Sequence, residues 1–136
     1  MPVSRAPSAP PDLLRTVLSG RVTDRELLDY YLRLMSSRAV PHPWRELVDG
    51  TGVTDMAVTP DGQWRLAAFV SQHLDLVRGG RVAMVATSGA VYGMFRMWQM
   101  QREDLDYAVQ VFREMGEAEA WLWNVEGEAS GSPGSG

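Results

Sequence analysis

From residue 13 to residue 123, short apolar runs alternate with longer segments of helical period. A chain patterned this way buries its apolar positions as a sheet covered by helices. Leu13 to Ser19 is the first run, closed by Gly20, and Thr23-Asp24-Arg25-Glu26 follows it. That tetrapeptide is a capping box, in which hydroxyl and carboxylate each satisfy an orphan amide at a helix start. At 100° per residue the helix gathers Leu27, Leu28, Tyr31, Leu34 and Met35 on one face, with Arg25, Glu26, Asp29 and Arg33 opposite.

Pro41-His42-Pro43 breaks the chain, Arg45 to Asp49 is expected as a strand, and Gly50-Thr51-Gly52 opens a loop running to Asp61. Thr59-Pro60 places a capping residue before a proline whose missing amide costs nothing at the first helical position. The helix starting there is expected to reach about Val77, burying Leu66, Phe69, Val70, His73 and Val77, with Arg78-Gly79-Gly80 ending it. Arg81 to Ala86 is a strand apolar enough for a central, two-sided position. Thr87-Ser88-Gly89 caps a third helix to roughly Arg102, Tyr107 to Phe112 is the last strand, and Glu114 to Trp123 the last helix. The order β-α-β-α-β-α-β-α, joined by right-handed connections, gives an α/β fold with a single sheet.

The 136 residues suit one domain of this kind. Met1 to Asp12 hold four of the eight prolines and are expected as a flexible lead outside the core, while 125–136 form a Gly/Ser-rich acidic tail. The ordered domain is thus expected over 13–124. Cysteine is absent, which excludes disulfides, thiolate metal sites and cysteine nucleophiles and suits a cytoplasmic protein. No run of eighteen apolar residues occurs, and the N-terminus lacks the apolar core of a signal peptide, so neither membrane insertion nor export is expected. The five Glu at 114, 117, 119, 126 and 128 account for the net charge of −4, leaving 13 Arg against 12 acids elsewhere. That near-neutral body lacks the basic footprint of a nucleic-acid binder. All of the basic residues are Arg and none is Lys, with no Ile and one Asn, the alphabet of a GC-biased coding sequence. Arg content alone therefore says little about phosphate recognition.

Four segments, GRVTDRELLDYY, ELVDGTGV, VAMVATSGAVYGMFRMW and VQVFREMGEAEAWL, carry a resemblance. From about Leu13 to Leu122 the chain resembles the bacterial SpoIIAA-like proteins, whose STAS-type fold is related to anti-sigma-factor antagonists. The resemblance implies a sheet of four or five strands with helices packed against it, and a role in binding proteins or apolar small molecules rather than catalysis. Two departures stand out. Such proteins usually open with an additional strand, which the Pro-rich lead is not expected to supply, and the Asp-Ser-Ser-Gly type phosphorylation motif is missing. Its region here holds Asp55-Met56-Ala57-Val58-Thr59-Pro60-Asp61-Gly62, so Thr59 is the candidate phosphoacceptor. A phosphate there would meet a favourable helix dipole but lie close to Asp55 and Asp61; the plainer assignment is a helix cap.

Nucleophilic catalysis needs an activated hydroxyl with a base in reach. His42 lies between prolines and His73 falls on an apolar stripe, so no catalytic residue is assigned and the chain is not expected to be an enzyme. Asp49 at a strand end, with Thr87 and Ser88 at another, has the placement of a receiver-domain phosphoacceptor. The lysine and paired acid such a domain needs are missing, and Asp49 is better taken as a loop former. Ser88-Gly89 with Gly93 lacks the glycine pattern of a dinucleotide site, and no cofactor or metal is indicated.

The third helix has more large apolar side chains than one buried face can use. Val91, Met94, Phe95 and Trp98 should face the sheet, whereas Gly93, Met97 and Met100 form a separate stripe. Methionine suits adaptable contacts, and helix docking uses this spacing. The stripe could be covered by the chain's own last helix or loops, by a homodimer or protein partner, or by an apolar ligand held between this helix and the sheet. Trp64, on the polar side of the second helix with Ser71 and Asp75, covers the preceding loop or anchors a partner. Of the two tryptophans ending the last helix, the resemblance points to Trp121 as core and leaves Trp123 nearer the surface. The expected function is a binding or regulatory module acting through protein contacts, or else a carrier or sensor of a lipid or other apolar molecule.

Overall fold

A computed structural model describes residues 2–7, 12–103 and 105–123. The strands are β1 (Val3–Ala6), β2 (Leu14–Thr23), β3 (Arg45–Ala57), β4 (Arg81–Val85) and β5 (Ala108–Phe112). The helices are α1 (Asp24–Ser37), α2 (Pro60–Ser71), α3 (Leu74–Val77), α4 (Gly89–Gln101) and α5 (Met115–Trp123). The five strands form one sheet in the order β1-β2-β3-β4-β5, with β1 antiparallel and the others parallel.

Because β2 to β5 succeed one another across the sheet, right-handed crossovers stack α1, α2, α3 and α4 on one face. Leu14, Leu18, Val22, Val48, Val82, Met84 and Val111 point to that face and join the helices in the larger core cluster. Alternate residues point the other way: Leu47, Ala83 and Val85 pack with Ala118 and Leu122 of α5 in a second cluster. Every residue of β4 is buried, as its two-sided apolar pattern anticipates.

Four expectations are corrected. The lead is not wholly outside the core: Val3 is buried, and Val3–Ala6 pairs with Leu18 to Arg15 as the additional strand. Its prolines flank these four residues, so the ladder amides stay intact. Gly20 does not end the first strand; at φ +65° it sits at a register shift, and β2 continues to Thr23. The loop expected from Gly50 is instead the second half of β3, paired with β2 as far as Thr23↔Ala57, beyond the end of β4. The second helix divides: the Gln72 and His73 amides bond to Phe69 and Val70 carbonyls in a tight turn, after which α3 begins anew. The acidic tail from 125 lies outside the described residues.

The α5 side is held by arginines. α5 has no basic residue in its last turn. Instead Arg45 Nε donates to the Leu122 carbonyl at 3.0 Å and Arg81 donates to the Trp121 carbonyl, serving helix-end acceptors from the strands beneath. Their guanidiniums also lie 4.1 Å from the centre of the Trp123 ring and 4.8 Å from that of Trp121. Trp121 is therefore half-buried against Phe112 and Arg81, and the core positions of α5 are Ala118 and Leu122.

Candidate functional site

Two features of the face covered by α1 to α4 stand apart from ordinary packing. The first is a buried carboxylate. Glu46 follows the strand parity of Val48, so it points under the helices, where it is 2% exposed. Tyr31 Oη and Thr16 Oγ1 donate to its Oε2 at 2.7 Å each, and Trp44 Nε1 donates to its Oε1 at 3.1 Å. Thr16 also shares a 2.7 Å hydrogen bond with Tyr30 Oη. Burial pushes the Glu46 carboxyl above its ordinary value, against the pull of these donors and of Arg102. Burial, and then Glu46, push both the Tyr30 and the Tyr31 hydroxyl upward.

Beside this network lies a cavity of about 30 Å³, room for about two waters. Glu46, Arg102, Tyr31 and Tyr107 supply its polar lining, and the rest is apolar, including Met35, Leu66, Val70, Met84 and Trp98. Trp98 is 2% exposed, and its indole Nε1 is a buried donor with no acceptor among the described residues. Arg102 is 5% exposed and donates to the Trp98 carbonyl at 3.2 Å. Burial raises the Tyr107 hydroxyl, with Arg102 pulling it back.

The second feature is on the outside of the same helices. Gln63 of α2 is buried between the helices, its Nε2 against Met94 Sδ and its Oε1 accepting from Gln101 Nε2 at 3.2 Å, which docks α2 against α4. Outward from this joint Trp64, Met97 and Met100 are 60%, 41% and 57% exposed. A Cβ added at Gly93 would meet nothing, so that position is open as well. The chain's own last helix covers none of this stripe, for α5 packs on β3, β4 and β5. Val91, Phe95 and Trp98 are buried as expected, while Met94 is half-buried against Gln63.

Thr59 is placed elsewhere, at the start of α2. Its Oγ1 accepts from the Gly62 amide at 3.0 Å and donates to Asp24 Oδ2 at 2.6 Å, while its own amide donates to Asp24 Oδ1 at 2.8 Å. The cap thus also ties α2 to the first turn of α1. Gly62 is required by close approach, since a Cβ there would fall 2.0 Å from Asp24 Oδ1. The neighbouring acids are engaged, Asp55 with Arg21 at 2.8 Å and Asp61 with Arg65 at 2.9 Å. Asp49 accepts from the amide and hydroxyl of Thr51, Ser88 caps α4, and His73 is half-buried with its ring 4.6 Å from Phe69.

Sequence reasoning missed the Glu46 network and the cavity. The available signal was Glu46 itself, an acid in phase with the apolar Val48 rather than with Asp49. Leu32, 52% exposed on α1, was missed too.

No family model matches the chain, and no curated protein matches it. Among solved structures it is similar to an uncharacterized protein of the DUF3478 family, with a SpoIIAA-like fold, from Shewanella loihica PV-4. The TM-score is 0.59 at 17% identity, over 88% of this chain and 91% of that one. The class defined by strand order and helix placement is therefore α/β with a SpoIIAA-like, STAS-type fold. Among the described residues no helix is long and apolar enough to cross a membrane.

Proposed function

We propose that the chain is a non-catalytic binding module that docks a protein on the outer face of α2 and α4. The observation carrying this reading is the exposure of Trp64, Met97 and Met100 around a joint that is itself well hydrogen-bonded. Large apolar side chains left in water on neighbouring helices favour burial against a partner, and tryptophan is a common anchor of such contacts. Sedimentation and cross-linked co-purification of wild type beside Met97→Glu/Met100→Glu test it. The double variant should remain folded and lose the associated protein, or the second copy of the chain, that wild type retains. A wild type that binds nothing more than the variant does would contradict the reading.

A second reading, a carrier or sensor of an apolar small molecule, is favoured by the cavity under α1, α2 and α4, where the Trp98 donor has no acceptor among the described residues. Phosphorylation of Thr59 belongs to the docking reading as a switch. A phosphate would replace the hydroxyl that Asp24 holds and set two anions together, loosening α2 from α1. Equal partner binding by Thr59→Asp, Thr59→Ala and wild type would remove this element alone.

A further inference from the structure

The lining of the cavity is uneven. Met35, Leu66, Val70, Val77, Met84, Trp98 and Arg102 are buried, whereas Tyr107 and Val109 are half-buried at the edge strand β5. The cavity therefore approaches solvent at β5 and is closed beneath α1 and α2. Its buried end holds the Arg102 guanidinium, which acts on the Glu46 carboxyl across the cavity and lies 5.8 Å from the centre of the Trp98 ring. The Arg102 guanidinium bonds the Trp98 carbonyl and stands against the Tyr107 hydroxyl, and among the described residues no carboxylate lies within ion-pair distance. A buried guanidinium with no carboxylate bonded to it has donors to offer, and its matched acceptor is a planar carboxylate. Trp98 Nε1 is a second donor on the same wall, with no acceptor among the described residues.

We propose that this cavity is a binding site for a short-chain aliphatic monocarboxylate, whose carboxylate is taken by Arg102 and Trp98 and whose chain lies toward β5. The carboxylate displaces the water the cavity can hold. The chain packs against Met35 and Met84, whose unbranched side chains re-pack readily. Glu46 shares the space, but its oxygens are occupied by Tyr31, Thr16 and Trp44, which leaves Arg102 and Trp98 to take the ligand. The proposal rests on the small-molecule reading and sharpens it to one chemical class.

The test follows the Trp98 indole N–H resonance of the full chain during titration with butyrate and, separately, with 1-butanol. A saturable shift with butyrate at least tenfold tighter than with butanol is expected. Arg102→Gln should abolish that preference. Should this variant fail to fold, Val109→Trp, at the half-buried end, should block butyrate with Arg102 intact. Equal binding of the two ligands would overturn the carboxylate assignment and leave the apolar reading standing. No shift with either would overturn both.

Discussion

The two faces of the sheet are packed by different rules. On the α5 side, Leu13, Leu47, Ala83, Val85, Ala118 and Leu122 form a purely apolar cluster, and strand arginines hold the helix end. On the side of α1 to α4, a carboxylate, two tyrosines and an arginine are buried in or beside a cavity that Tyr107 borders half-buried, and large apolar side chains are left outside. A face built for stability alone has no need of either feature, since well-packed apolar residues stabilise as well as a buried polar network or better. The contrast supports the proposal that binding lies on the side of α1 to α4, with α5 closing the other.

The comparison breaks first at Glu46. Glu46→Leu leaves the Thr16, Tyr31 and Trp44 donors buried without their acceptor and should cost about 4 kcal/mol in urea unfolding. On the other face Leu122→Ala should cost about 3 kcal/mol, by cavity formation alone. A near-zero cost for Glu46→Leu would mean that the network is not dry.

Acidity separates the faces further. The folded chain holds the Glu46 proton more tightly than the unfolded chain does. Its contribution is therefore fully present below the ordinary value of 4.5 and is lost as pH climbs through the raised native value. Between pH 4.5 and neutrality, wild type should lose stability relative to Glu46→Gln, whereas Leu122→Ala should follow the wild-type profile. Parallel curves for wild type and Glu46→Gln would contradict the burial.

Smaller effects sharpen the picture. Thr59→Ala removes one cap and the tie to Asp24 and should cost about 1 kcal/mol, read from the thermal midpoint. Trp98→Phe deletes a donor that has no acceptor among the described residues, so its cost should come from the lost ring volume alone and be about 1 kcal/mol.

What the sequence makes legible is local. Thr23 and Glu26 form both bonds of the capping box three residues apart, and Thr59 and Ser88 cap their helices as their patterns imply. That Met97 and Met100 lie on a stripe apart from the buried face follows from helical period, whereas the exposure of that stripe does not. Long-range features are another matter. β1 is four residues with one buried side chain, too short to carry a periodic signal, and β3 continues through two glycines because β2 is there to pair with it. The Glu46 network joins residues 14 to 30 positions apart as well as a near neighbour, and a lone strand Glu is ordinarily solvated. Only the assembled sheet shows that it faces inward.

The most direct test of where binding resides places a photo-crosslinking residue at Met97 or at Trp64 on the side of α1 to α4, and at Ala120 on α5, in the full chain. Crosslinked adducts should form from the first two sites and not from the third. Adducts from Ala120 alone, or equally from all three, would contradict the assignment of the faces.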